Sequence, residues 1–344
     1  MANRLLVAFF GFATVILVAT SVDRGLAAEG PEQPALKIAV GGKALMVYLP
    51  LTIAERKGFF KAEGLDVEIA DVEGGSKALQ ALIGGSVDAT AGSFDHTIQM
   101  QAKHQSIEGV VLFARYPGIV LAVAKSKAES YHSPRDLKGL TIGVTSPGSQ
   151  THFMLNHLLL ADGLEPTDVS VAGIGGGPGA VAAVRNGRVD ALSNADPVIT
   201  ELETSGDIKV VADTRTTAGT LAVFGAPYPS GTIYLKTDFI QSHPRTVQAI
   251  ATAMVKALNW MAKATPAEIA DAVPSEWTTG RRDLYVASIK NSKEMYSPDG
   301  RFTRDGAEAA VRVLSAFDPT VKAATIDPEA TFTNAFVEKA ILAK

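Results

Sequence analysis

From Ala35 onward one grammar recurs: a short β-branched run, a glycine-bearing stop, then a longer segment with helical spacing. Residues 36–40 read as a strand ending at Gly41-Gly42, and 51–63 read as a helix stopping at Gly64. Residues 67–70 form a second predicted strand, and Gly74-Gly75-Ser76 opens a helix to about 83. A third strand, 87–91, closes at Gly92-Ser93 before a helix over 95–103. Strands alternating with helices at this spacing predict an α/β fold with largely parallel pairing.

The second half repeats the pattern. Residues 140–144 are a strand, and Pro147-Gly148-Ser149 precedes a helix over 150–162. Then come a strand at 169–172, a glycine-rich turn at 175–179 with a helix to about 186, a strand at 189–192, a helix at 198–204 and a strand at 208–212. Gly84-Gly85-Ser86-Val87-Asp88-Ala89 is echoed by Asn186-Gly187-Arg188-Val189-Asp190-Ala191, as two lobes on one plan would produce. Apolar runs 110–114 and 119–124, joined at Pro117-Gly118, are expected to carry the chain between lobes. Runs 219–224 and 232–235 are the expected pair of strands for its return. Helices 244–263 and 304–316 have no strands left to serve and are expected to pack on the first lobe. Residues 35–118 plus 230–344 then make lobe 1 and 119–229 lobe 2, with two crossings between them and a cleft where they face.

Composition narrows the function. Arg4, an uncharged stretch over residues 5–19, and small residues from Gly25 to Ala28 read as a secretory signal peptide over residues 1–28. The stretch falls short of the about 20 residues needed to span a bilayer, so export to a bacterial periplasm is expected. The chain has no cysteine, which excludes disulfides, thiolate metal sites, cysteine nucleophiles and a lipoprotein anchor. Lys plus Arg total 32 against 36 Asp plus Glu, so no basic excess exists to neutralise nucleic acid.

Glycine and serine cluster at four predicted strand ends: Gly41-Gly42, Gly74-Gly75-Ser76, Gly92-Ser93 and Pro147-Gly148-Ser149. In open α/β sheets ligands bind beyond the carboxyl ends of strands. A helix starting there offers unpaired N–H groups and the positive end of its dipole to an oxyanion. Ser76 and Ser149 would add hydroxyls, with Gln150 opening the helix behind them. Lys43 and Arg115 are the cations best placed to face a cleft. Asp95 and Asp196 follow strand ends and, if inward, favour ligand N–H groups; Asp196-Pro197 otherwise starts a helix. Tyr48, Phe94 and Tyr116 can stack on a ligand or fill core. No Walker sequence and no G-x-S-x-G elbow occurs, and none of the six histidines is paired at i, i+4. Neither a metal, a cofactor nor a catalytic residue is expected.

Leu49-Pro50 followed by residues 54–68 (AERKGFFKAEGLDVE), residues 136–144 with Pro147-Gly148-Ser149, and residues 187–191 leading to Asp196-Pro197 resemble a family of ABC-importer substrate-binding proteins. That family takes nitrate, sulfonates and taurine, and includes binders of thiamine-pyrimidine precursors. The resemblance covers about residues 35–340. It implies a two-lobe type II periplasmic-binding-protein fold, a monomer, a small-molecule ligand in the interlobe cleft and a membrane permease as partner. Lys43, Tyr48, Gly75, Ser76, Ser93, Arg115, Ser149 and Asp196 match its cleft-facing loops. Sulfonate binders typically carry a tryptophan before the Asp-Pro pair; Asn194-Ala195 stand here, which leaves room for an aromatic or amide-bearing ligand. Related iron-dependent pyrimidine synthases use a cysteine-rich segment that this chain lacks. The competing readings are a secreted hydrolase or lyase using the same cleft, and a periplasmic sensor without transport.

Overall fold

The computed structural model describes Met1 and residues 30–342; apart from Met1, the predicted signal peptide lies outside the described residues. In chain order the strands are β1 (Ala35–Gly41), β2 (Asp66–Val72), β3 (Ala89–Ser93), β4 (Ile107–Leu112), β5 (Ile119–Ala124), β6 (Thr141–Val144), β7 (Ser170–Gly173), β8 (Ala191–Ala195), β9 (Ile208–Asp213) and β10 (Gly231–Lys236). They form two five-stranded sheets, ordered β2-β1-β3-β10-β4 and β7-β6-β8-β5-β9, with helices interleaved. The fold is the predicted two-sheet α/β architecture of periplasmic binding proteins.

The sheets are built alike. In the first, β1 pairs parallel with β2 and β3, and β10 runs antiparallel between β3 and β4. In the second, β6 pairs parallel with β7 and β8, and β5 runs antiparallel between β8 and β9. Each antiparallel strand carries a bulge, between Ile233 and Tyr234 in one and Leu121 and Ala122 in the other. The repeated Val-Asp-Ala has a physical cause. Asp88 accepts from the Lys37 backbone N–H at 2.8 Å and gives its own N–H to the Lys37 carbonyl at 2.9 Å. Asp190 does the same with Thr141, at 2.9 and 2.8 Å. In both sheets the aspartate locks the start of the first strand to the entry of the third.

The expected return pair of strands is corrected: residues 219–224 lie in a helix, Thr217–Phe224. Thr216 caps it by accepting from the Gly219 N–H at 3.1 Å, and Gly225 ends it at φ 69°. A short apolar run does not by its periodicity distinguish a buried strand from a helix; the cap and stop residues decided here. The predicted helix 51–63 is two, Leu49–Arg56 and Phe59–Ala62, split where Gly58 turns left-handed at φ 72°. The Pro244–Lys263 helix buries a stripe that includes Val247, Ile250, Met254, Leu258 and Met261, and it packs against the Leu49–Arg56 and Ala335–Leu342 helices. Helix Arg304–Phe317 does more than serve the first sheet, since it touches both the Asp95–Ala102 and the Gln150–Ala161 helices. Among the described residues, no helix is long and apolar enough to cross a membrane.

Candidate functional site

The carboxyl ends of β1, β3 and β8 and the starts of β5 and β10 converge on one cavity, where Gly41, Ser93, Ala195, Ile119 and Gly231 form part of the wall. Its inner volume is about 40 Å³, room for roughly three water molecules. Tyr48 is its one titratable lining residue among those described; no Lys, Arg, Asp, Glu or His side chain forms the wall. Neutral side chains and backbone make up its wall.

Two helices start at this wall, Gly75–Ile83 and Gln150–Ala161. Neither has a side-chain N-cap; the N–H groups from Lys77 and His152 onward bond back, starting with the Gly74 and Ser149 carbonyls, and those of Gly75, Ser76, Gln150 and Thr151 lack intrahelical acceptors and stay available. Ser149, the N-cap residue, donates to the Ser146 carbonyl at 2.7 Å instead. A chain of hydroxyls joins the two helix starts: Ser76 to Ser146 at 2.7 Å, Ser146 to Ser149 at 2.8 Å, Thr145 to Ser149 at 3.1 Å and Thr145 to Thr151 at 2.9 Å. Gly74 permits this approach. It sits at φ 82°, and a Cβ there would fall 2.2 Å from the Ser146 Oγ. Tyr48 packs its ring beside Phe113, is 7% exposed, and its hydroxyl has no hydrogen-bond partner among the described residues. Burial, then the Asp71 charge, raises its pKa above the usual tyrosine range.

Behind the wall two buried titratable groups tie the sheets together. Asp95 accepts from the Ser93 hydroxyl at 2.5 Å, the Gln150 side-chain amide at 2.6 Å and the Tyr228 hydroxyl. Burial pushes its carboxyl up, opposed by these hydrogen bonds. His96 stands 3.1 Å from the Tyr234 hydroxyl through Nδ1 and 3.3 Å from the Gly148 carbonyl through Nε2. A carbonyl only accepts, so Nε2 carries the proton and Nδ1 accepts from tyrosine. Burial lowers the His96 pKa to about 4, outweighing the Gly148 bond, and the ring is neutral at pH 7.

Of the predicted site residues, Tyr48, Gly75, Ser93, Ser149 and Gln150 line the cavity. Ser76, Asp95 and Gly148 stand behind it, joined to it by the hydrogen bonds above. The others lie elsewhere. In place of the expected cleft cations, Lys43 pairs with Glu55 at 2.7 Å in a separate surface depression, and Arg115 and Tyr116 line a second hollow beside Pro227 and Arg301. Phe94 is core, packed on Phe302 at 5.5 Å. Asn194 donates to the Gly175 carbonyl at 2.9 Å.

Asp196 is fully buried and accepts from Thr200, Ser292 and the Arg215 guanidinium at 3.3 Å. Its carbonyl takes the Met46 N–H at 2.9 Å. It is a structural tie, not part of the cavity wall. Sequence reasoning missed Thr145, Thr151 and Ser230, which line the cavity, and Arg215, which also pairs with Asp213 and Glu203. Thr145 and Thr151 flank the Pro147-Gly148-Ser149 cluster, and Ser230 precedes Gly231, so hydroxyls beside glycine stops were the usable signal. Among the described residues, no group of three or more His, Asp or Glu side chains is placed to hold a metal ion.

Two like sheets whose strand ends meet at one cavity define a bilobal α/β binding-protein fold. The chain belongs to the NMT1/THI5-like family, whose model matches residues 46–269. A solved structure from Bordetella bronchiseptica RB50 is 48% identical, covering 92% of this chain and 99% of that one, with a TM-score of 0.89. The alkanesulfonate-binding protein SsuA from Xanthomonas axonopodis pv. citri, solved with MOPS bound, shares the fold at 18% identity and a TM-score of 0.68, covering 88% and 99%. So does the periplasmic nitrate-binding protein NrtA from Synechocystis PCC 6803, at 16% identity and a TM-score of 0.70, covering 92% and 90%. The chain is also 25% identical over 280 residues to YtlA of Bacillus subtilis, covering 80% of this chain and 81% of YtlA. The bicarbonate-binding protein CmpA of Synechococcus is 24% identical over 250 residues, 64% of this chain, which spans about half (53%) of CmpA's length. A 4-amino-5-hydroxymethyl-2-methylpyrimidine phosphate synthase of Aspergillus parasiticus is 24% identical over 258 residues, 70% of this chain and 72% of the synthase.

Proposed function

We propose that the chain is the solute receptor of an ABC importer: exported to the periplasm, it closes two lobes on a small polar or anionic molecule and hands it to a membrane permease. The lobes are residues 35–118 with 230–344, and residues 119–229. The observation that carries the reading is the cavity itself. Both sheets contribute strand ends to it, and two helix N-termini without side-chain caps face it without a competing charged side chain. Such N-termini favour negative charge. A ligand touching both lobes stabilises the closed arrangement by the contacts it makes only there. Kinship with sulfonate-, nitrate- and bicarbonate-binding proteins points the same way.

The test is a thermal-shift screen of alkanesulfonates, nitrate, bicarbonate, carboxylates and pyrimidines. A cognate ligand at a hundred times its Kd adds about 2.7 kcal/mol of stability, and small-angle scattering should show a smaller radius of gyration. Tyr48→Phe, which keeps the ring and removes the unpartnered hydroxyl, is expected to weaken binding about fivefold, one neutral hydrogen bond's worth. A screen without a hit, or an unchanged radius at saturation, overturns the reading. Turnover of a bound compound would favour the enzyme reading, for which the pyrimidine phosphate synthases are the relevant relatives.

A further inference from the structure

The cavity wall carries two sets of groups of opposite chemistry. One comprises the N–H groups at the starts of the Gly75–Ile83 and Gln150–Ala161 helices, with the Tyr48 hydroxyl among them: a Cβ on Gly75 would lie 3.8 Å from that oxygen. The other comprises Ser93 and Ser230, 6% and 1% exposed. Asp95 fixes what these serines offer. The Ser93 and Tyr228 hydroxyls donate to its carboxyl group, and Gln150 presents its amide N–H to it at 2.6 Å. That turns the Gln150 carbonyl oxygen toward Ser230, whose hydroxyl must donate to it at 2.5 Å. Both serine protons are therefore committed; the Ser93 oxygen also accepts the Asp95 N–H at 3.3 Å, so Ser93 keeps one lone pair and Ser230 two, and neither keeps a proton for the cavity. In the first set the hydroxyls of Thr145, Ser146, Ser149 and Thr151 are hydrogen-bonded to one another and to the Ser146 carbonyl, which leaves the backbone N–H groups and Tyr48 as donors.

Resting on the solute-receptor reading, we propose that Ser93 and Ser230 are specificity residues requiring the ligand to bring a hydrogen-bond donor of its own: the guest is a small anion bearing an O–H or N–H, not one whose periphery is all acceptor. An all-acceptor oxyanion would set its oxygens against two serine oxygens backed by the Asp95 carboxylate. A site built to receive a donor rejects an isostere that lacks one, because its buried acceptors go unpaired.

Calorimetry at about pH 8, in a buffer free of sulfonates, compares bicarbonate with nitrate and sulfamate with methanesulfonate. Each pair matches in charge and heavy-atom number and differs in carrying a donor. The donor-bearing member of at least one pair is expected to bind about tenfold more tightly or better. Ser230→Ala and Ser93→Ala should each bring that ratio to about threefold or less, mainly by weakening the donor-bearing ligand. A donor-free member that binds as tightly as its partner overturns the inference and leaves the receptor reading standing. So does a ratio unmoved by both substitutions. If none of the four binds, the small-anion reading fails and takes this inference with it.

Discussion

Asp95 and Asp196 follow the ends of corresponding strands, β3 and β8, yet they are neutralised in different currencies. Asp196 faces a guanidinium, Arg215, at 3.3 Å, with Thr200 and Ser292 completing its shell. Among the described residues Asp95 meets no cation, only two hydroxyls and an amide. The register explains the split. Ser93 pairs with Gly231 as Ala195 pairs with Ile119, so Ser93 and Ala195 correspond, and Asp95 stands two residues past its strand position where Asp196 stands one past. One frame thus holds two kinds of acid: an ion pair inside the second unit, tied to the first through Ser292 and the Met46 N–H, and a carboxylate whose donors form part of the cavity wall.

The sharpest way to break this comparison is to remove each acid. Asp196→Ala orphans part of the charge of a buried arginine and is expected to cost about 4 kcal/mol in urea unfolding. Asp95→Ala leaves neutral donors unpaired but also removes a buried, cation-free charge, so about 2 kcal/mol is expected. Equal costs would mean that the ionic and neutral shells are equivalent.

The next effect concerns His96, which the first unit has and the second lacks at its strand end. Its folded pKa near 4 lies below the ordinary 6.5, so the unfolded chain takes up the proton first. Its contribution is whole above about pH 6.5 and is lost as pH falls toward 4, worth about 3 kcal/mol. Unfolding curves of His96→Gln should be flatter across that window; a variant with the parent's pH dependence would refute the assignment. The smallest effect tests the likeness of the two units. Asp88→Ala and Asp190→Ala each lose the same strand-locking bond and should each cost about 1–2 kcal/mol, agreeing within about 0.5 kcal/mol. A larger gap would mean that the repeated tripeptide does different work in the two sheets.

The repeat was legible in the sequence because glycines mark tight places at strand ends: a Cβ on Gly41 would fall 2.4 Å from the Gly74-Gly75 backbone, one on Gly92 2.7 Å from the Tyr234 hydroxyl, and Gly148 turns at φ 82°. Val-Asp-Ala was legible because the same bond, from the aspartate to the backbone of the neighbouring strand, recurs in both sheets. What sequence could not carry was direction. Nothing in Lys43 says that Glu55 will claim it. Nothing in Asp196 says that Arg215, nineteen residues on, will hold it in the interior. The helix Thr217–Phe224 read as a strand because its apolar residues run unbroken, and only Thr216 and Gly225 gave it away.

The antiparallel strand of each sheet is also the first one the chain forms after leaving the other sheet, and this bears on synthesis. The second sheet is complete once residue 213 has left the ribosome. The first sheet keeps an open slot between β3 and β4 until residues 231–236 arrive. The later-made unit therefore finishes first, and the earlier one waits with two unpaired strand edges, reversing the usual order in which nascent domains mature.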